Sequence, residues 1–243
     1  MAQISKHAVK IEDMKMHCLP GDPPVPLVLR RSARARRISL RISQLDGRVT
    51  LTLPRRVAEA EALAFAKEKE AWIRKHLAAR ATDVQVVYGS HLPVGGMLHQ
   101  VQEAKGRRIA IEDGHIRVPG PPETVGKRLG AHLKGLARDR LATACDFYAS
   151  KLDLPYEAIT LRDTRSRWGS CTSTGRLMFS WRLMLAPPEV LNYVAAHEVA
   201  HLSEMNHSSA FWSAVERIYG PFDTPRLWLR QQGGELHRYR FGD

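Results

Sequence analysis

The sequence predicts an α+β protein, and three observations carry that reading. Period-two alternation at 38–53 and again in RRIAIEDGHIRV (107–118) marks hairpins. Apolar stripes of helical period at 57–79 and 123–150 mark two helices. A strand expected at about 176–184 runs into a third helix that carries the stretch AAHEVAHLSEMNH (195–207).

The chain has 243 residues, 44% apolar and 26% charged, which bounds it to one or two ordinary globular domains. The first twenty residues hold no signal-peptide core, and no later run approaches the roughly eighteen apolar residues of a membrane span. A cytoplasmic protein with no membrane partner is expected. Cys18, Cys145 and Cys171 are odd in number and widely spaced, which excludes a disulfide framework and a Cys-rich zinc knuckle. Oligomeric state leaves no mark.

Element by element, residues 1–26 end in CLPGDPPVP and suit an extended, poorly ordered leader. In the first hairpin Ile38, Leu40 and Ile42 share one face, and Arg37, Ser39 and Arg41 share the other. Asp46-Gly47 makes the turn, and Val49, Leu51 and Leu53 resume the period until Pro54. The helix after it presents Ala62, Phe65, Ala66, Trp72, Ile73 and Leu77. A second Asp-Gly hairpin follows among short strands between 84 and 118. The long helix is striped by Val125, Leu129, Leu133, Leu136, Leu141, Ala144 and Phe147. At 186–189, Ala-Pro-Pro-Glu stops the preceding strand and starts a helix, because proline suits the first helical turn and Glu189 complements the dipole. The expected partition is a leader at 1–26, a basic β-rich region with one helix at 27–120, and a C-terminal region at 121–243. Residues 27–240 could also pack as one compact unit.

Net charge is +12 and is concentrated near the N-terminus. Residues 27–56 hold nine arginines, no lysine and a single acid, Asp46. Arg37, Arg41 and Arg48 of the hairpin are therefore candidate contacts for the phosphates of a nucleic acid or nucleotide, against the plainer reading of a solvated sheet face.

The chemistry concentrates in the third helix. His197 and His201 are four apart, so their imidazoles reach a common point on one helix face, and Glu198 is offset enough to hold a water rather than the ion. This is HExxH, in which two neutral imidazoles bind zinc and the carboxylate is a general base. A catalytic zinc takes a third protein ligand. His207 is favoured, because LSEMN can end the helix, Asn206 tolerates a left-handed turn, and Ser208 can cap the next helix. Glu216 on that following helix is the rival, and Glu204 is placed awkwardly. Arg165, Arg167 and Tyr193 are candidates to stabilise an oxyanion or bind substrate. Trp168, Trp181 and Trp212 could line the pocket, although such aromatics are more often core. Cys171 reads as a small core residue ahead of a metal ligand, and Cys18 of the leader as a weak candidate to cap a latent site.

RWGSC (167–171), GRLMFSWRLML, PPEVLNYVAAHEVAHL and MNHSSAFW together resemble the YgjP-type metallopeptidase family, with more distant similarity to SprT-like zincins. The basic hairpin and WIRKHL (72–77) are similar to that family's upstream region, so the resemblance covers about 27–240. It implies a zincin-like C-terminal domain, one zinc ion held by His197, His201 and His207, Glu198 as catalytic acid/base, and a peptide or protein substrate. In such a fold the strand before the HExxH helix is an edge that pairs with extended substrate. Two alternatives stand beside it: a metal-dependent nucleotide or phosphate-ester hydrolase, and a nucleic-acid-associated protein whose zinc is structural.

Overall fold

The structure, a computed structural model, describes residues 14–43, 47–78 and 82–242. Asp46, the first half of the leader (1–13) and the last residue of the first predicted helix (79) lie outside that set. The chain divides into two compact units between residues 81 and 82, whereas the sequence partition was placed at 120/121.

The first unit is a four-stranded sheet with two helical segments. Its strands are β1 (Met14–Leu19), β2 (Val25–Ser32), β3 (Ser39–Ile42) and β4 (Val49–Pro54), in the order β1-β2-β4-β3. The register sets Leu29 opposite Leu51 and Leu51 opposite Leu40, which places the apolar residues on one face. That face packs with Ala62, Ala66 and Ile73 of α1 (Glu59–Glu68) and α2 (Glu70–Ala78). The Asp-Gly hairpin is thus β3–β4, antiparallel as expected.

Two expectations change here. The proline-rich end of the leader is not a loose tail. Met14–Leu19 pairs antiparallel with β2, and the turn between them is held by Arg74, which donates to the carbonyls of Pro20 (3.0 Å) and Pro23 (2.7 Å) while pairing with Glu70. Gly21, at φ 139°, leaves the room that guanidinium needs. The helix bends at Lys69 (φ −91°, ψ 10°), and Trp72 leaves the core, 44% exposed against His76. Ala66 and Ile73 are seven apart, two full turns, so Ile73 continues the stripe and its neighbour cannot.

The second unit holds a four-stranded, a three-stranded and a two-stranded sheet and the remaining helices. The strands β5 (Val84–Gln85), β6 (His91–Val94), β7 (Met97–Ala104), β8 (Ala110–Glu112) and β9 (His115–Pro119) precede α3 (Val125–Leu152). Four of them form a sheet in the order β6-β7-β9-β8, with β8 and β9 joined by Asp113 and Gly114, both at positive φ, as a two-residue hairpin loop requires. On α3 the buried stripe runs through Leu129, Leu133, Ala137, Leu141, Cys145 and Tyr148, and Phe147 is exposed. The steps of four and three keep to one face, which Phe147 misses by a residue.

The second sheet, β10 (Ala158–Arg162), β11 (Gly169–Cys171) and β12 (Arg176–Ser180), corrects the expected strand at 176–184. Regular pairing stops at Ser180, and Trp181–Leu185 forms a 3-10 turn buried on all sides. Nor is β12 an edge: it lies between parallel β10 and antiparallel β11, so the strands with an open side are β10 and β11, and of these β11 borders the cleft described below. The helices α4 (Pro188–Ala200), α5 (Ser209–Tyr219) and α6 (Asp223–Gln232) follow. A final short strand, β13 (Tyr239–Arg240), pairs with β5 and returns the C-terminus to the start of the unit. Among the described residues no helix is long and apolar enough to cross a membrane.

Arg182 joins three of these parts. It is 4% exposed and donates to Asp163 through Nε (2.7 Å) and Nη2 (2.9 Å), and through Nη1 to the carbonyls of Leu236 (2.9 Å) and Tyr239 (3.0 Å). A buried guanidinium with its bonds made is well tolerated, but removing it strands a carboxylate and two carbonyls. Arg182→Ala is therefore expected to lower the unfolding free energy by about 3 kcal/mol in urea titration. A loss below about 1 kcal/mol would show that the C-terminal segment is held by other contacts.

Candidate metal centre

The site is built on α4, an almost entirely apolar helix whose buried residues run from Val190 to Ala200. Such a helix is central to its domain, so a carboxylate on it is buried whether or not it is paired. Pro188 occupies the first turn, as the sequence suggested. His197 stands on the last turn and His201 is the C-cap, still in right-handed helical geometry (φ −65°, ψ −15°), so the two imidazoles remain on one face.

The reversal that follows brings back His207. His201 Nδ1 lies 2.9 Å from the Glu204 carbonyl, which orients the ring and leaves Nε2 facing its neighbours. Glu204, considered as a ligand, takes part only through its backbone. Asn206 does not adopt a left-handed conformation. Its side-chain oxygen instead accepts from the Ser208 amide (3.1 Å), and Ser208 Oγ caps α5 by accepting from the Phe211 amide (3.4 Å). His207 Nε2 then sits 3.1 Å from His197 Nε2.

One nitrogen from each of His197, His201 and His207 lies within 4.8 Å of the others. The donor set fits a divalent transition metal. A tetrahedral zinc with bonds of about 2.0–2.1 Å holds its ligand nitrogens about 3.3 Å apart, close to the His197–His207 separation. On α4 the two imidazoles are held neutral. Burial, with the neighbouring histidines and Arg226, pushes His197 down to about 3, and burial lowers His201 as well. The Glu216 carboxylate stays outside this group, exposed on α5.

Phe211 is the floor, and it is the residue sequence reasoning missed. Fully buried, it stacks on His201 (centroids 4.4 Å, 27°) and meets His197 and His207 edge-on at 4.9 and 4.7 Å. Its place four residues after His207, in the first turn of the next helix, was the available signal. Trp212 lies 5.7 Å from both His197 and His207.

Glu198 is 6% exposed, and burial pushes it up to about 8 against the opposing charge of Arg167. It faces β11 at close range: a Cβ on Gly169 would lie 2.5 Å from its Oε1. Glycine is needed here for space. The cleft over the site, about 460 Å³, is lined by Arg167, Ser170, Cys171 and Met205 together with Glu198 and the three histidines.

The other candidates separate. Arg167 lines the cleft, while the charge of Arg165 acts on buried His237. Trp168 packs on His237 (5.1 Å) and against Gly233, and Tyr193 is buried beside Phe222 and His197. Trp181 is core. The Cys171 thiol, pushed up to about 11 by burial and Glu198, donates to the Thr172 carbonyl (3.3 Å). Cys18 is exposed on β1. Arg37 lies in the loop before β3, Arg41 on the exposed face of β3, and Arg48 just before β4.

The burial of Glu198 gives a pH signature in metal-stripped protein. Its folded pKa is about 8 against an ordinary 4.5, so its stabilising contribution is complete below about 4.5 and lost as pH rises through 8. Glu198→Gln removes that loss. The unfolding free-energy difference between variant and parent in EDTA should be small at pH 5 and favour the variant at pH 8.5, by at most about 5 kcal/mol. The depressed His197 acts in the opposite sense, losing stability as pH falls below 6.5, and is common to both chains. Parallel pH profiles would contradict the assignment.

The family described as YgjP-like, metallopeptidase domain, matches residues 36–232. No curated protein matches the chain. Among solved structures, the crystal structure of the metallopeptidase zymogen of Pyrococcus abyssi abylysin is similar at 19% identity over 38% of this chain and 95% of that chain. Its TM-score of 0.34 is too low to carry a structural argument. Because the family match runs without a break from the basic hairpin to the end of α6, the protein belongs to the YgjP-like metallopeptidase family.

Proposed function

We propose that the protein is a zinc-dependent peptidase with a zincin-like site, in which His197, His201 and His207 hold one zinc ion and Glu198 is the general acid/base. The observation that carries this is the convergence of three imidazoles within 4.8 Å beside the buried carboxyl of Glu198 on α4. Family membership supports a peptide or protein as substrate. The three free thiols accord with the reducing cytoplasm proposed as its location.

Zinc bound there would supply Lewis-acid polarisation of a peptide carbonyl and a lowered pKa for the attacking water. The protein's own groups do the rest. Glu198 takes the proton from that water and delivers it to the departing amine. Its raised pKa suits both halves of the transfer, because a carboxyl near neutrality accepts and returns a proton without a large penalty either way. A dication nearby favours the carboxylate form. Gly169 lets the β11 backbone come against Glu198, and the open side of β11 offers main-chain hydrogen bonds to an extended peptide. The Arg167 guanidinium, in the wall of the cleft, adds positive charge there.

Protein purified without added metal is expected to contain about one zinc per chain, and His207→Ala to lose most of it. Glu198→Gln should keep the metal and lose about 100- to 10,000-fold in cleavage of casein or a mixed peptide library. Unchanged activity in that variant would remove Glu198 from the mechanism. Gly169→Ala should also retain zinc, yet fall at least about tenfold in kcat, because the added methyl must displace the Glu198 carboxyl. Full activity with a shifted carboxyl would show that its position against β11 is unimportant.

A further inference from the structure

We infer that the cleft selects peptides with acidic side chains flanking the scissile bond, Arg167 being the specificity-determining residue and Arg226 a second anchoring cation. This rests on the peptidase reading and specifies its substrate class.

The charge distribution around the three histidines is lopsided. Arg167 is exposed in the cleft wall, its backbone fixed by Thr164 Oγ1 donating to its carbonyl (2.8 Å), and no carboxylate among the described residues forms an ion pair with it. Arg226 is exposed on α6 and lies over the Trp212 ring at 4.5 Å, the ring that borders His197 and His207. It too has no carboxylate partner among the described residues, although Asp223 is three positions away on the same helix. Arg176, Arg182 and Arg240 of the same unit show what such a group does with a carboxylate in reach, each holding one at 2.9 Å or less. The two guanidiniums beside the histidines hold none among the described residues, so their donors can take an external anion.

Nothing in the cleft offsets them except Glu198, since the other lining residues are neutral or basic. A dication on the imidazoles would add to the imbalance. An anionic substrate relieves it: a side-chain carboxylate can make a charge-assisted, two-pronged bond to a guanidinium, whereas a lysine there meets like charge. The exposed Met205 gives the remaining wall an apolar contact.

The test uses zinc-loaded, full-length Glu198→Gln protein and fluorescent decapeptides identical except for Asp, Ala or Lys on both sides of the central bond, with binding read by anisotropy. Asp peptides are expected to bind about tenfold more tightly than Ala peptides at low salt and more tightly again than Lys peptides, the gap narrowing in about 0.5 M salt. Adding Arg167→Ala should bring Asp and Ala peptides within about twofold, Arg167→Lys should restore part of the gap, and Arg167→Glu should reverse the order. Arg226→Ala should reduce the gap less. Equal affinity for Asp and Lys peptides, or an Asp preference that survives Arg167→Ala, would overturn the inference. Parallel cleavage assays on the wild-type chain separate the two readings. Hydrolysis without acidic preference rejects the selectivity alone, and acidic preference in binding with no hydrolysis of any peptide rejects the peptidase reading alone.

Discussion

The chain reversal between His201 and Ser208 is the constraint on which the site depends. Two histidines four apart on a helix can face one point, but a third six residues later can join them only if the helix stops at once and the chain doubles back. Three short interactions enforce this: the His201 ring against the Glu204 carbonyl, the Asn206 side chain on the Ser208 amide, and the Ser208 cap on α5. None is strong alone, at about 1 kcal/mol for a cap or a neutral hydrogen bond. They act on a segment with no freedom left, because Phe211 in the first turn of α5 is fully buried against all three rings. A buried aromatic floor thus converts a local turn into a fixed arrangement of nitrogens.

The rest of the second unit places a carboxyl beside that arrangement and keeps it dry. α4 is buried on nearly all sides, so Glu198 inherits the low polarity of the core without needing an ion-pair partner, and its raised pKa follows. The wall opposite is backbone, because Gly169 lacks a side chain where one would collide. The strand carrying Gly169 is fixed by pairing with β12, and the turn leaving β12 is fixed by Arg182 and its four bonds to Asp163 and the C-terminal segment. A residue well outside the cleft therefore helps hold the sheet that shapes it.

Much of this was legible in the sequence, and the boundary between what was and was not is physical. The β8–β9 hairpin closed by Asp113-Gly114, the long α3, the proline start of α4 and the Ser208 cap were readable because each depends on a few neighbouring residues. The family was readable from RWGSC and the HExxH segment, and the family match covers both. Trp72 and Phe147 were assigned to the core because periodicity tolerates an error of one residue where packing does not. The run through 181–185 resembled strand because total burial erases the alternation that separates strand from turn. β11 was unreadable as an edge strand: three residues, one of them glycine, carry no propensity signal, and only the register with Leu177–Phe179 defines it. The pin made by Arg182 joins residues more than fifty positions apart.

X-ray absorption at the zinc edge of protein purified without added metal tests the central claim most directly, because it reads the ligands rather than the consequences of binding. Three imidazole nitrogens with one or two further light-atom donors, all at about 2.0–2.1 Å, are expected, leaving a position for water or substrate. A sulfur scatterer at about 2.3 Å, which would place Cys171 in the coordination sphere, or a spectrum with fewer than three imidazoles, would contradict it.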